Sequence, residues 1–199
     1  MLRIPNKFIS TPQLNLNLTD GADPLTYFNI FIDEGILNPI INMTNRFAES
    51  ELRKKPSTSK SKTKDWKNLD FPSLMLYIAC MMIMGIDKKP NIDCYWSTDA
   101  IFSGGIIRSI LSRDMFKKIK KYLRFAEPEP DSTDKLCKIR PFVDALRKKF
   151  IDSYSPCCQI TIDEVLELWN GQLSWKQYHL LKRNRFGFKI FLGCESNYS

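Results

Sequence analysis

Apolar residues recur at helical spacing from residue 25 onward. Leu25, Phe28 and Ile32 form a first series, and Ile36, Leu37, Ile40 and Ile41 a second. Asp33 stands where the second series begins and predicts its N-cap. That pattern fades near Leu52. Asp70 to Gly85 is apolar almost throughout and predicts a buried helix, with Pro72 tolerated in its first turn and Lys88-Lys89-Pro90 ending it. Ser97-Thr98-Asp99 predicts the start of a short helix, broken by Gly104-Gly105. Ser112 predicts the cap of a helix from Arg113 to about Phe125, whose apolar stripe is Phe116, Ile119, Tyr122 and Leu123. Phe142, Leu146 and Phe150 place one more helix between Lys138 and Tyr154.

The period then changes from 3.6 to 2. In Gln159–Trp169, Ile160, Ile162, Leu166 and Leu168 alternate with Gln159, Thr161, Asp163, Val165 and Glu167. Phe186, Phe188, Ile190 and Leu192 alternate in the same way, and Asn170-Gly171 marks a turn region between the two runs. The expectation is a mainly α protein with a C-terminal β-hairpin. Ile160, Ile162, Phe188 and Ile190 are expected to form one exposed apolar face of that ribbon. A lone hairpin is marginal in water and its edges invite other strands, so stability should be poor for the chain's size.

The polar segments set the organisation. Residues 1–23 read as a flexible arm, with Pro5, Pro12 and alternating Asn and Leu. Residues 24–157 read as one helical region, interrupted at 53–67 by a mobile Ser/Thr/Lys linker with no apolar anchor. Glu127-Pro128-Glu129-Pro130-Asp131 is an acidic loop. No apolar run reaches the roughly 18 residues that span a bilayer. The start, Met1 to Lys7, lacks the apolar region of a signal peptide. A soluble intracellular protein without a membrane partner is the expectation.

Composition adds little until charge is mapped. The 199 residues are 43% hydrophobic and 26% charged, which excludes a wholly disordered chain. The net charge is +8, and residues 57–125 hold thirteen Lys/Arg against six Asp/Glu. Residues 1–56 are balanced at six each, and 126–199 hold eleven against ten. A localised basic block fits a polyanion binder, although the same excess also serves solubility. The six Cys form no C-x-x-C pair, and His179 is the single His, so the Cys read as reduced, mostly buried residues rather than zinc ligands.

Four stretches in order resemble the piggyBac-type DDE transposases and the host proteins derived from them. Asp23-Pro24-Leu25, Phe28, Phe31, Asp33-Glu34, Ile36, Ile40 and Thr44-Asn45 resemble the opening helices. Ser97-Thr98-Asp99 with Phe102, then Ser112-Arg113-Asp114, Phe116, Ile119 and Leu123-Arg124-Phe125, resemble a second segment. Thr161-Ile162-Asp163-Glu164 resembles the first catalytic strand, and Tyr178, Lys182 and Arg185-Phe186-Gly187-Phe188-Lys189 the strand after it. Leu180 and Arg183 depart from the usual prolines, Gln172 from a common Arg and Glu195 from a frequent Asp. The resemblance implies a helical DNA-binding and dimerisation region, followed over 158–199 by the first strands of an incomplete RNase H-like core. It also implies nuclear residence, for which Arg53-Lys54-Lys55 is a weak import candidate.

Asp163 matches the first Asp of the family triad, whose other two carboxylates are expected downstream of residue 199. The intact family uses Mg²⁺ in two-metal phosphoryl transfer, with two ions roughly 4 Å apart held by several convergent carboxylates. Within this chain Glu164 points to the other side of the strand, and Glu167 lies about 13 Å along it. Glu195 sits at a register that sequence leaves open. No bound cofactor and no catalysis are therefore expected of these residues alone, and Asp163 becomes a metal ligand only if the missing domain is supplied. What remains is binding. Arg113, Lys117, Lys118, Lys120, Lys121 and Arg124 crowd one helix as candidate phosphate contacts. Arg108, Arg140, Lys182, Arg183, Arg185 and the Lys60, Lys62, Lys64 arm are weaker ones. DNA, and a homodimer or heterodimer with a related transposase, are the expected partners. A pairing module and the N-terminal part of an active transposase are the alternative readings.

Overall fold

The fold comes from a computed structural model that describes residues 12–16, 21–54, 66–102, 105–127, 133–157, 159–169, 171–178, 180 and 186–195. About half of it is helical, with two small antiparallel sheets. The chain divides into two compact units, Asp23–Leu146 and Met1–Ala22 with Arg147–Ser199. No helix among the described residues is long and apolar enough to cross a membrane.

The helical unit begins with α1 (Pro24–Phe31) and α2 (Glu34–Lys54). Asp33 accepts from the Ile36 N–H at 3.1 Å and so opens α2. Its buried residues Ile36, Leu37, Ile40, Ile41, Thr44 and Ala48 trace one helical face. α3 (Phe71–Ile86) is capped by Asp70, which accepts from the Ser73 N–H at 3.0 Å. It packs Leu74, Tyr77 and Cys80 inward. Asn45 joins α2 to the segment before α3 in both directions. Its amide donates to the Leu69 carbonyl at 2.9 Å and accepts from the Leu69 N–H at 2.7 Å.

The short helix expected at Ser97-Thr98-Asp99 is absent. Asp99 closes a turn there, accepting from the Ile101 N–H with its side chain and from the Phe102 N–H with its carbonyl. Asp hydrogen-bonds locally in turns as readily as at caps. The helical pieces flank the turn instead: a 3₁₀ helix at Ile92–Trp96, capped by Asn91, and α4 (Ile107–Ile110). α5 (Arg113–Tyr122) starts at Ser112, which accepts from the Met115 N–H at 3.3 Å. Phe116 is fully buried at its centre, with the Tyr77 ring 4.8 Å and the Trp96 ring 5.1 Å away.

α6 (Arg140–Ser153) leads into the β unit. β1 (Gln13–Leu14) pairs with β2 (Tyr154–Ser155), so this part of the expected arm is a strand. The larger sheet has three strands rather than the expected two. β3 (Ile160–Leu168) and β4 (Gln177–Tyr178) flank β5 (Phe186–Glu195), all antiparallel. The register also corrects the expected apolar face. Ile162 faces Gly193 and Val165 faces Ile190, so Phe188 and Ile190 lie on the opposite side from Ile160 and Ile162. Both faces consequently present apolar side chains: Ile162 is 75% exposed on one and Leu192 44% on the other. Asn170, of the expected turn, lies outside the described residues.

Candidate nucleic-acid interface and the Asp163 strand

Spacing of i, i+4, i+7 and i+8 puts Arg113, Lys117, Lys120 and Lys121 along one side of α5, flanking the buried stripe of Phe116, Ile119 and Tyr122. The four are not equally available. Lys117 Nζ lies 2.5 Å from Asp93, and Arg113 lies 4.0 Å from the same carboxylate and 3.9 Å from Asp114. The Lys117 hydrogen bond holds the Asp93 carboxyl below its ordinary value. Lys121 sits over the Tyr122 ring at 4.7 Å. Lys120 is exposed, and Lys118 is half-buried on the flank.

Arg124 does not belong to that helix, contrary to the expectation of a helix reaching Phe125. The backbone leaves the helical region at Leu123, whose N–H still bonds Ile119. The Arg124 N–H goes instead to Thr44 Oγ1 at 3.1 Å. Its guanidinium lies over the Phe47 ring at 3.8 Å. Asp93 is the residue whose part in this surface the sequence hides, because it precedes Lys117 by two dozen positions with no periodic signal.

Among the weaker candidates, Arg108 is exposed on α4. Arg140 is committed to Asp134 through two 2.7 Å hydrogen bonds, which hold the Asp134 carboxyl down at about 2. Lys60, Lys62, Lys64, Lys182, Arg183, Arg185 and Lys55 of the import candidate lie outside the described residues.

Asp163 lies on β3 opposite Leu192, with Thr161 and Val165 beside it on the same face. Its carboxylate accepts from the Glu164 N–H at 2.7 Å. Glu164 is on the other face, in an ion pair of 2.6 Å with Lys189. Glu195 pairs in register with Ile160, which settles its side: it is on the face away from Asp163. It accepts from the Tyr154 hydroxyl at 2.8 Å and from the Cys157 N–H. Among the described residues, Asp163 therefore has no second carboxylate on its face within one strand neighbour. This donor set does not fit a pair of Mg²⁺ ions, which need several shared carboxylate oxygens. No group of three His, Cys, Asp or Glu converges elsewhere among the described residues.

Residues 23–198 match the family described as Transposase IS4. The chain is 27% identical to human PiggyBac transposable element-derived protein 2 over 94% of its own length and 30% of that protein's. It is 23% identical to human PiggyBac transposable element-derived protein 5, over 77% of its length and 28% of that protein's. A cryo-EM structure of a piggyBac transposase synaptic complex with hairpin DNA superposes with a TM-score of 0.70 at 25% identity, covering 88% of this chain and 36% of that one. The chain thus spans about a third or less of the proteins it matches. With the match running through both units, the chain belongs to the Transposase IS4 family and is piggyBac-like.

Proposed function

We propose that this piggyBac-like chain binds DNA through phosphate contacts and does not by itself catalyse strand cleavage or transfer. The stripe of Arg113, Lys117, Lys120 and Lys121 on α5 carries the reading. A row of cations on one exposed helix side supplies affinity for a polyanion without reading its sequence. The similarity to a transposase that was solved with hairpin DNA supports the same partner. In this reading residues 24–157 are the DNA-facing region, 158–199 open an RNase H-like core, and the chain resides in the nucleus. Asp163 is the family's first catalytic carboxylate, and it acts only when other residues bring further carboxylates to its face.

Fluorescence anisotropy of a labelled duplex, titrated between about 50 and 200 mM salt, tests this. Affinity should fall steeply with salt and show little sequence preference, and K120Q should lower the slope by about one. Affinity indifferent to salt would sink the reading. Mg²⁺-dependent nicking by the pure chain, lost in Asp163→Asn, would refute the absence of catalysis.

A second reading is pairing with another piggyBac-like transposase chain. One observation favours it: α3 carries no charged residue, yet Leu76, Met82 and Ile86 are 40%, 56% and 89% exposed on the side away from its buried face. Helices apolar all round are normally covered. Light scattering with and without an intact relative separates the two readings. An unchanged monomer counts against pairing.

A further inference from the structure

The helical unit contains a groove of about 860 Å³ between the C-terminal half of α2, residues 123–127 and Lys138-Ile139. Five cations line it from these three segments: Arg46, Arg53, Lys54, Arg124 and Lys138. Two carboxylates, Glu49 and Glu127, line it as well. Met43, Leu123, Ala126 and Ile139 add apolar surface. The groove's size is that of ordinary ligand clefts.

Its occupant must satisfy two demands together, an excess of negative charge and an apolar body. Duplex DNA meets only the first, since its outer surface is phosphate and sugar. An unpaired nucleotide would need an open aromatic face to stack on. Both rings in the groove already have partners. Phe47 carries the Arg124 guanidinium at 3.8 Å, and Phe125 meets Phe142 edge-on at 5.2 Å. An acidic peptide segment with aliphatic side chains meets both demands, and recognition of acidic segments by Arg-rich clusters is a recurring mode. The existing ion pairs do not obstruct it. Arg46 holds Glu127 at 3.4 Å with both side chains about 70% exposed, Arg53 holds Glu49 at 3.9 Å, and Lys54 holds Glu51 at 3.1 Å. Exposed pairs of this kind are weak, so an incoming carboxylate can take the place of Glu127 on Arg46 and leave the exposed Glu127 carboxylate to water.

We propose that this groove is a docking site for an acidic, leucine-bearing peptide segment of a partner protein, separate from the α5 stripe. The test is anisotropy of a short fluorescein-labelled peptide alternating Asp/Glu with Leu, added to the 199-residue chain. Two controls accompany it, one with the acids amidated to Asn/Gln and one with Leu replaced by Ser. The acidic Leu peptide should bind about tenfold tighter than either control. R53Q/K54Q should weaken it by about tenfold, and K117Q/K121Q on α5 by less than about twofold. Arg53 and Lys54 are 83% and 70% exposed, so their loss leaves the core intact, which circular dichroism checks. The proposal is overturned if the Ser control binds equally, which would mean charge alone. It is also overturned if the α5 variant weakens binding as much as the groove variant. Finally, it falls if a duplex displaces the peptide and R53Q/K54Q costs duplex affinity the same factor, since the groove would then be a nucleic-acid site.

Discussion

Thr44 and Arg124, eighty positions apart, exchange two hydrogen bonds: Thr44 Oγ1 accepts the Arg124 N–H at 3.1 Å and donates to the Arg124 carbonyl at 3.4 Å. Thr44 is fully buried, so its hydroxyl has no water as a substitute for these partners. Thr44→Val keeps the shape and removes both bonds. It should cost about 1–3 kcal/mol of unfolding free energy in urea titrations, with Thr44→Ser costing less. The same pair fixes where the chain turns after α5, and hence where Arg124 meets Phe47.

Asp93 restrains the α5 stripe. Asp93→Asn should release Lys117 and Arg113 from their shared carboxylate. Duplex affinity should rise, and the salt slope should steepen by up to about one. Unchanged binding by anisotropy would mean that Lys117 does not face DNA.

The Asp134–Arg140 pair gives the helical unit an acid limit. The folded carboxyl titrates at about 2, against an ordinary 3.8. A depressed pKa stabilises the fold above the unfolded value and loses that contribution as pH falls from about 4 toward 2. Urea midpoints of the native chain should therefore drop more steeply over that window than those of Asp134→Asn.

Gly187 permits the close approach of two strands. A Cβ there would lie 2.0 Å from the Glu167 carbonyl oxygen. Gly187→Ala should force β3 and β5 apart, at a cost of about 3 kcal/mol. Hydrogen exchange should show lost protection in the 160–168 amides while the helical unit keeps its own.

The helices with strong periodic faces and side-chain caps were legible in the sequence. Asp33 and Ser112 cap where the pattern predicts, because a cap is a local interaction that needs only its own next turn, whereas Asp70, read as the first helical residue, turns out to be the cap of its helix. The turn at Asp99 misled because Asp serves caps and turns through the same short-range bond. The existence of β3 and β5 was legible from alternation, whereas the two-residue strands β1, β2 and β4 are too short to show one, and face assignment across strands depends on register. Register is set by long-range pairing that alternation within one strand does not encode. The cationic stripe was legible as a stripe, whereas its division into paired and unpaired members was not. Asp93 reaches it through the tertiary fold.

The carboxylate of Glu195 grips both the Tyr154 hydroxyl and the Cys157 backbone at the far end of β5. Tyr154 follows directly on the end of α6. Tension applied at the C-terminal end of β5 would therefore divide between the β3 ladder and this side-chain anchor. Glu195→Gln keeps one of the two acceptor oxygens and puts an NH₂ donor in place of the other, so one of the two anchor bonds is lost and the ladder bears more of the load.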